Sequence, residues 1–200
     1  MSTALIVLGV LLLPVLLIGG YAVHKYNSLV RLENRYENAY SQIDVQLKRR
    51  YDLIPNLVET VQGYLDHERE TLEAVTKARN QAMSASEEAK KKPGDPEAMQ
   101  HLNKAEELLS GSLGRLMVVA EDYPDLKANE SIQDLMEELR TTENKISFAR
   151  QAFNDAVTRY NTERESFPTV ILANMYGYNE AELFRVEVAE QRQAPDVSFS

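Results

Sequence analysis

The spacing of apolar residues along the chain changes character once. From Ala4 to Val23, "ALIVLGVLLLPVLLIGGYAV", twenty consecutive residues carry no charge. Beyond them the apolar residues fall into stripes of three- and four-residue steps that run as far as Tyr160. A helix of the uncharged length spans roughly 30 Å, the thickness of a bilayer's hydrocarbon core. Residues 4–23 are therefore expected to meet a lipid bilayer as a single transmembrane helix. A cleaved signal peptide would want a cationic leader and small residues before a cleavage point. Here only Ser2 and Thr3 follow Met1, and no A-x-A-like site appears, so the segment reads as an uncleaved anchor. Tyr21 and Tyr26 fall at interfacial depth, and Pro14 at mid-span is tolerated in membrane helices. Lys25, Arg31 and Arg35 follow the span, and positive-inside bias then predicts the N-terminus outside and the rest of the chain in the cytoplasm.

The stripes predict the soluble part. Leu29, Tyr36, Tyr40, Ile43 and Leu47 form one. Val58, Val61, Leu65, Leu72, Val75 and Ala82 form the next, with Glu68 and Arg79 as polar exceptions. Ala98, Leu102, Ala105, Leu109, Ser112, Leu116 and Val119 make a third. Ile132, Leu135, Leu139, Thr142, Ile146, Ala149, Phe153, Ala156 and Tyr160 make a fourth. Sustained heptad spacing argues for long helices packed at shallow angles, as a bundle or coiled coil. The breaks are as plain. Lys90, Lys91 and Lys92 suit a last turn, Pro93 and Gly94 stop it, and Asp95 caps the next helix with Pro96 at its first position. "EDYPDLKANESIQDL" separates the third and fourth helices, and Phe167-Pro168 ends the fourth. Short connections imply antiparallel neighbours.

"KRRYDLIPNLV" is the ambiguous stretch. Leu47, Tyr51, Ile54, Val58, Val61 and Leu65 keep phase through it, yet Pro55 sits inside, and an interior proline costs about 3 kcal/mol. Lys48, Arg49 and Arg50 would suit a last turn, Asp52 an N-cap, and Leu53, Ile54 and Pro55 a first turn. That chemistry favours a break over a kink. The break yields helices Tyr26–Arg50, Leu53–Ala89, Pro96–Asp122 and Glu130–Ser166. The expected fold is all-α: a transmembrane helix, then an up-and-down antiparallel four-helix bundle with long coiled-coil-like helices.

Composition narrows the function. The 200 residues carry a net charge of −9, against the concentrated cationic surface that nucleic acid requires. Cysteine is absent, which removes disulfides, thiol catalysis and attachment of lipid to a cysteine. "HERET" at His67 has Thr71 where H-E-x-x-H needs a second histidine, and Tyr64 and Ala98 stand where Glu-x-x-His pairs would need Glu. The histidines read as solvated, and no catalytic, cofactor-binding or metal residue is expected. Gly111 and Gly114 lie inside a helix, where glycine costs about 1 kcal/mol against alanine. They imply close packing within the bundle or a contact face for a neighbouring subunit. Lys48–Arg50 lies about 36 Å beyond His24 along a straight helix, and screening acts over about 8 Å, so lipid is a poor ligand for it. Helix-end electrostatics is the first reading, and a protein-interaction corner of Lys48, Arg49, Arg50, Asp52, Pro55 and Asn56 the second.

"YNSLVRLENRYENAYSQIDVQLKRRYDLIPNLVETVQGYLDHERETLEAVTKAR" resembles the signature region of the bacterial LemA family, "FNDAVTRYNTERESFPTVILANMYGY" its C-terminal signature, and "APDVSF" its ending. Tyr40 and Tyr51 depart from it, standing where tryptophan-like and small residues are expected. The resemblance implies an N-terminal anchor, a four-helix bundle and no established catalytic residues. It also implies links to membrane-compartment formation and to membrane proteases. The expected organisation is an anchor over 1–25, a bundle over 26–167 and a C-terminal docking tail over 168–200. Phe167, Pro168, Ile171, Met175, Tyr178 and Phe184 make that tail too apolar to be free. The expectation is a non-enzymatic, single-pass scaffold or membrane-organising protein of the bacterial inner membrane that self-associates. The alternative is an adaptor binding a membrane protease or transporter.

Overall fold

The computed structural model describes residues 2–65 and 68–185, the side chains of 2–6, 9, 125 and 127 excepted. His67 and "APDVSF" lie outside the described residues. The described residues form helices and connections: α1 Ser2–Gln62, α2 Arg69–Lys91, α3 Pro96–Glu121, the single turn α4 Pro124–Lys127, α5 Glu130–Glu165 and α6 Thr169–Tyr176.

α1 is one helix of 61 residues with Pro14 and Pro55 inside it, so the break expected at Pro55 is absent. The physical reason lies on another helix. Pro55 has no N–H to give the carbonyl of Tyr51, one turn earlier. The Arg79 Nε of α2 donates to that carbonyl instead, at 2.6 Å. With the orphaned acceptor satisfied and Pro55 itself facing solvent, the apolar phase wins. Tyr51, Ile54, Leu57 and Val61 are all buried. The chain breaks instead after Gln62, where Gly63 opens a turn and Val61 O accepts from both Tyr64 N and Leu65 N. The expected helix Leu53–Ala89 is thus the end of α1, a turn, and α2.

Long helices that pack together run antiparallel. Asp44 meets Lys90 at 2.9 Å between α1 and α2, His101 faces Glu88 between α3 and α2, and Lys25 meets Glu163 at 2.9 Å between α1 and α5. α5 packs chiefly on α1, and α3 on α2. The α1–α5 interface holds the aromatic core. Tyr36 sits edge-to-face against Tyr160, with centroids 5.1 Å apart, and Tyr40 likewise against Phe153 at 5.7 Å. Such pairs add about 0.5–1.5 kcal/mol each beyond the area they bury.

The connections are capped as their residues dictate. Asp95 accepts from Ala98 N at 3.1 Å with Pro96 beginning α3, and Asn129 accepts from Ile132 N at 3.2 Å at the start of α5. Gly94 has φ +84°, and a Cβ there would lie 3.0 Å from the Tyr36 ring and 3.1 Å from Ala181 Cβ. Only glycine fits this crossing.

Candidate functional site

Three features emerge: a buried ionic node, a cleft above it, and a docked C-terminal segment. The node is built on the C-terminal part of α1, about three turns before its end. Arg50 is 3 % exposed, and its guanidinium is paired with Glu106 of α3 and Glu143 of α5. Glu106, 1 % exposed, also accepts from the hydroxyl of Tyr51, which lies within 3.3 Å of Ala82 O on α2. One carboxylate therefore ties α3 to α1, while Glu143 ties α5 to the same arginine. Burial pushes the Tyr51 phenol up to about 12, against the opposing charge of Arg50 and the hydroxyl of Ser86, so it stays a donor. Two charges taken out of water are costly unless their geometry is good. This pair specifies register, because sliding α1 past α3 would separate Arg50 from Glu106 and leave both charges buried without each other.

Lys48, Arg49 and Arg50 are accordingly not a helix end. α1 has no basic residue in its last turn, and the three cations sit well inside it. Arg49 pairs with Glu138 on α5, Lys48 is exposed, and Asp52, Pro55 and Asn56 line the solvent side of the same helix. Of the expected corner, Arg50 is turned inward and the other five residues share an exposed face of α1. Gly111 and Gly114 also differ from the intramolecular reading. Both are exposed, and a Cβ at either would meet nothing within 4 Å, so neither lies against another helix of the domain.

Above the node, α3 and α5 diverge around a cleft of about 940 Å³. Leu113 and Met117 of α3 face Met136 and Leu139 of α5 across it, with Arg50 among its lining and Arg140 and Glu143 at its edge. Toward the anchor end, the same seam is filled by the chain itself. Asn161 clamps Ala181 through both its N–H and its carbonyl, at 3.0 and 2.8 Å, and Asn154 does the same to Phe184 at 2.9 and 3.1 Å. Asn103 of α3 reaches Leu183 O and Arg185 N. Tyr160 and Arg164 donate to the carbonyls of Asn179 and Tyr178. Amide side chains thus supply the ladder that a neighbouring strand would give. Of the expected docking residues, Phe184 is fully buried, Tyr178 and Pro168 are half-buried, and Phe167, Ile171 and Met175 are exposed. The asparagines were invisible as site residues in the sequence, since a lone Asn on a helix reads as solvated.

His24 and His101 are exposed, and among the described residues no group of three or more histidines and carboxylates converges as metal ligands would. α1 is the one helix among the described residues that is long and apolar enough to cross a membrane, and none of its apolar window is buried in the domain.

These features define a class: an all-helical protein whose domain is continuous with a long apolar N-terminal helix, braced by buried polar ties. The chain belongs to the LemA family, whose model matches residues 39–199. It is 26% identical over 180 residues to magnetosome protein MamQ 2 of Paramagnetospirillum magneticum and, again at 26%, to magnetosome protein MamQ of Magnetospirillum gryphiswaldense. Each match covers 82% of this chain and 66% of the relative. It is 27% identical over 172 residues to protein LemA of Metamycoplasma hominis, covering 83% of this chain and 74% of that one. The chain thus spans slightly less than two thirds of the magnetosome relatives.

Proposed function

We propose that this chain is a non-enzymatic, membrane-anchored scaffold, an up-and-down four-helix bundle standing on a single transmembrane helix and associating with further copies of itself. The observation that carries the reading is the outer face of α3. Leu108 is 58 % and Val118 65 % exposed, and Gly111 and Gly114 leave open space between them. Apolar side chains flanking a notch at three- and four-residue steps are what a second helix packs against. The MamQ relatives carry magnetosome names, which is in keeping with a membrane-organising role. The orientation favoured by Lys25, Arg31 and Arg35 puts the bundle in the cytoplasm of a bacterial inner membrane.

The chain has no cysteine, so single-cysteine probes start from a clean background. Gly111→Cys should yield a crosslinked dimer in native membranes with a short bifunctional thiol reagent, while Glu70→Cys, on exposed α2, should not. Capture of monomer alone from Gly111→Cys would sink self-association. The cleft favours a second reading, an adaptor for a membrane protease or transporter. Its seam already holds one extended segment of polypeptide, residues 178–185, so a partner's extended segment suits the open remainder. A gentle-detergent pull-down separates the two: a scaffold enriches itself, whereas an adaptor enriches one stoichiometric partner.

A further inference from the structure

The exposed part of the C-terminal signature sits in an unusual place. α6 packs on α1 and on the end of α5, its buried face formed by Thr169 and Ala173. The opposite face is apolar and bare. Phe167 is 83 %, Ile171 54 %, Met175 65 % and Tyr176 60 % exposed. Phe167, Ile171 and Met175 follow one another at four-residue steps, and α6 holds no charged residue at all. Standing free in water, this surface would be a liability.

Its height along α1 says what covers it. Lys25 of α1 meets Glu163 of α5 at 2.9 Å, and the two helices are antiparallel. α5 ends at Glu165, and Thr169 Oγ1 returns to within 3.3 Å of Glu163 Oε1, so the turn that holds Phe167 lies past the Lys25–Glu163 pair, toward the uncharged run that ends at Val23. α6 then climbs to Tyr176, whose ring is 5.0 Å from that of Tyr26, and the chain leaves upward through Tyr178. On α1, the uncharged run toward which this turn points is itself bare, with Leu16, Leu17 and Ile18 each at least 65 % exposed.

We infer that α6 and the turn before it form a second membrane contact, with Phe167, Ile171, Met175 and Tyr176 seated at the boundary between headgroups and acyl chains. This rests on the reading that residues 4–23 cross the bilayer. The contact is apolar in character: beside it Lys25 pairs with Glu163 and Arg164 with Glu165, so neutral lipid suffices. Two attachments, one spanning and one lying on the surface, fix the height and rotation of the domain. The bundle then stands upright instead of swinging on a tether, and every copy in a membrane presents α3 in the same plane.

The chain has no tryptophan, so single-tryptophan variants report their surroundings without background. The full chain, reconstituted in phosphatidylcholine vesicles containing brominated acyl chains, is compared across Met175→Trp, Ile171→Trp, Leu12→Trp in the span and Phe148→Trp on exposed α5. The expected result is strong quenching for Leu12→Trp, none for Phe148→Trp, and intermediate quenching with blue-shifted emission for both α6 variants. Quenching of both α6 variants no greater than that of Phe148→Trp, with Leu12→Trp quenched, overturns the second contact and leaves the anchor standing. Blue-shifted emission without quenching overturns it in favour of a protein covering that face. Failure of Leu12→Trp to quench overturns the anchor reading itself, and the inference with it.

Discussion

The continuity of α1 through Pro55 rests on one side chain, which makes Arg79 the sharpest test of the structure. In a wild-type background Arg79→Ala removes the donor 2.6 Å from Tyr51 O and leaves a part-buried carbonyl with no replacement, because residue 55 has no N–H. A charge-assisted hydrogen bond contributes about 1.5–3 kcal/mol, and an orphaned acceptor costs about 1–3. Partial access to water places the loss near the lower end, about 1–2 kcal/mol. Pro55→Ala restores the backbone donor. In that background Arg79→Ala should cost no more than about 0.5 kcal/mol beyond the packing of the arginine stem, which both backgrounds lose alike.

The double-mutant cycle isolates the difference, a coupling of about 1 kcal/mol between residues on different helices. Equilibrium unfolding of the full chain in detergent micelles, followed by far-ultraviolet circular dichroism at fixed detergent, gives the four stabilities. Pro55→Ala should stabilise in both backgrounds, and more where Arg79 is missing. An Arg79→Ala cost equal in the two backgrounds to within about 0.3 kcal/mol would refute the idea that Arg79 replaces the lost backbone donor.

Glu106→Ala should destabilise by about 3 kcal/mol, the lower end for a broken buried pair because Arg50 keeps the half-exposed Glu143, whereas Arg50→Met with Glu106→Leu should be close to neutral in the same unfolding assay. Gly94→Ala should lower stability by at least about 1 kcal/mol, given its positive φ and the ring 3.0 Å away, while Gly111→Ala and Gly114→Ala should each raise it by about 0.5–1. Those glycine signs are read from unfolding midpoints. Alkaline titration tests the buried tyrosines. Burial raises the Tyr51 phenol from 10.0 to about 12, so the folded state favours the protonated form; its contribution is intact below pH 10 and lost as pH climbs toward 12. Phenolate absorbance should show Tyr51 titrating late together with the other buried tyrosines, such as Tyr160, and Tyr51→Phe should shrink that late step by one phenol. Asn154→Ala and Asn161→Ala should free the 178–185 segment for limited proteolysis before the helices themselves unfold.

What could be read from the sequence was whatever depends on period and local chemistry. The uncharged run, the four stripes, the Asp95–Pro96 start and the Phe167–Pro168 stop all follow from rules that act within a few residues, and α3 and α5 fall close to their expected limits. Three features could not be read that way, and they share a cause. Pro55 looks like a break because its missing N–H is local, whereas the compensating Arg79 arrives from another helix. Arg50 looks like part of a cationic helix end because Glu106 and Glu143 are distant in sequence. Asn103, Asn154 and Asn161 look solvated because the backbone they clamp comes last in the chain. In each case a polar group is satisfied across elements, and periodicity carries no information about such partners. A signal was nonetheless present. Arg79 interrupts a largely apolar stripe, and Arg50 falls one turn after Leu47 and one turn before Ile54, on the buried side of α1. A polar residue at an apolar phase must either leave the core or find a partner there. In a chain whose helices are as long and regular as these, it is those interruptions, more than the leucines around them, that set which helix lies against which and in what register.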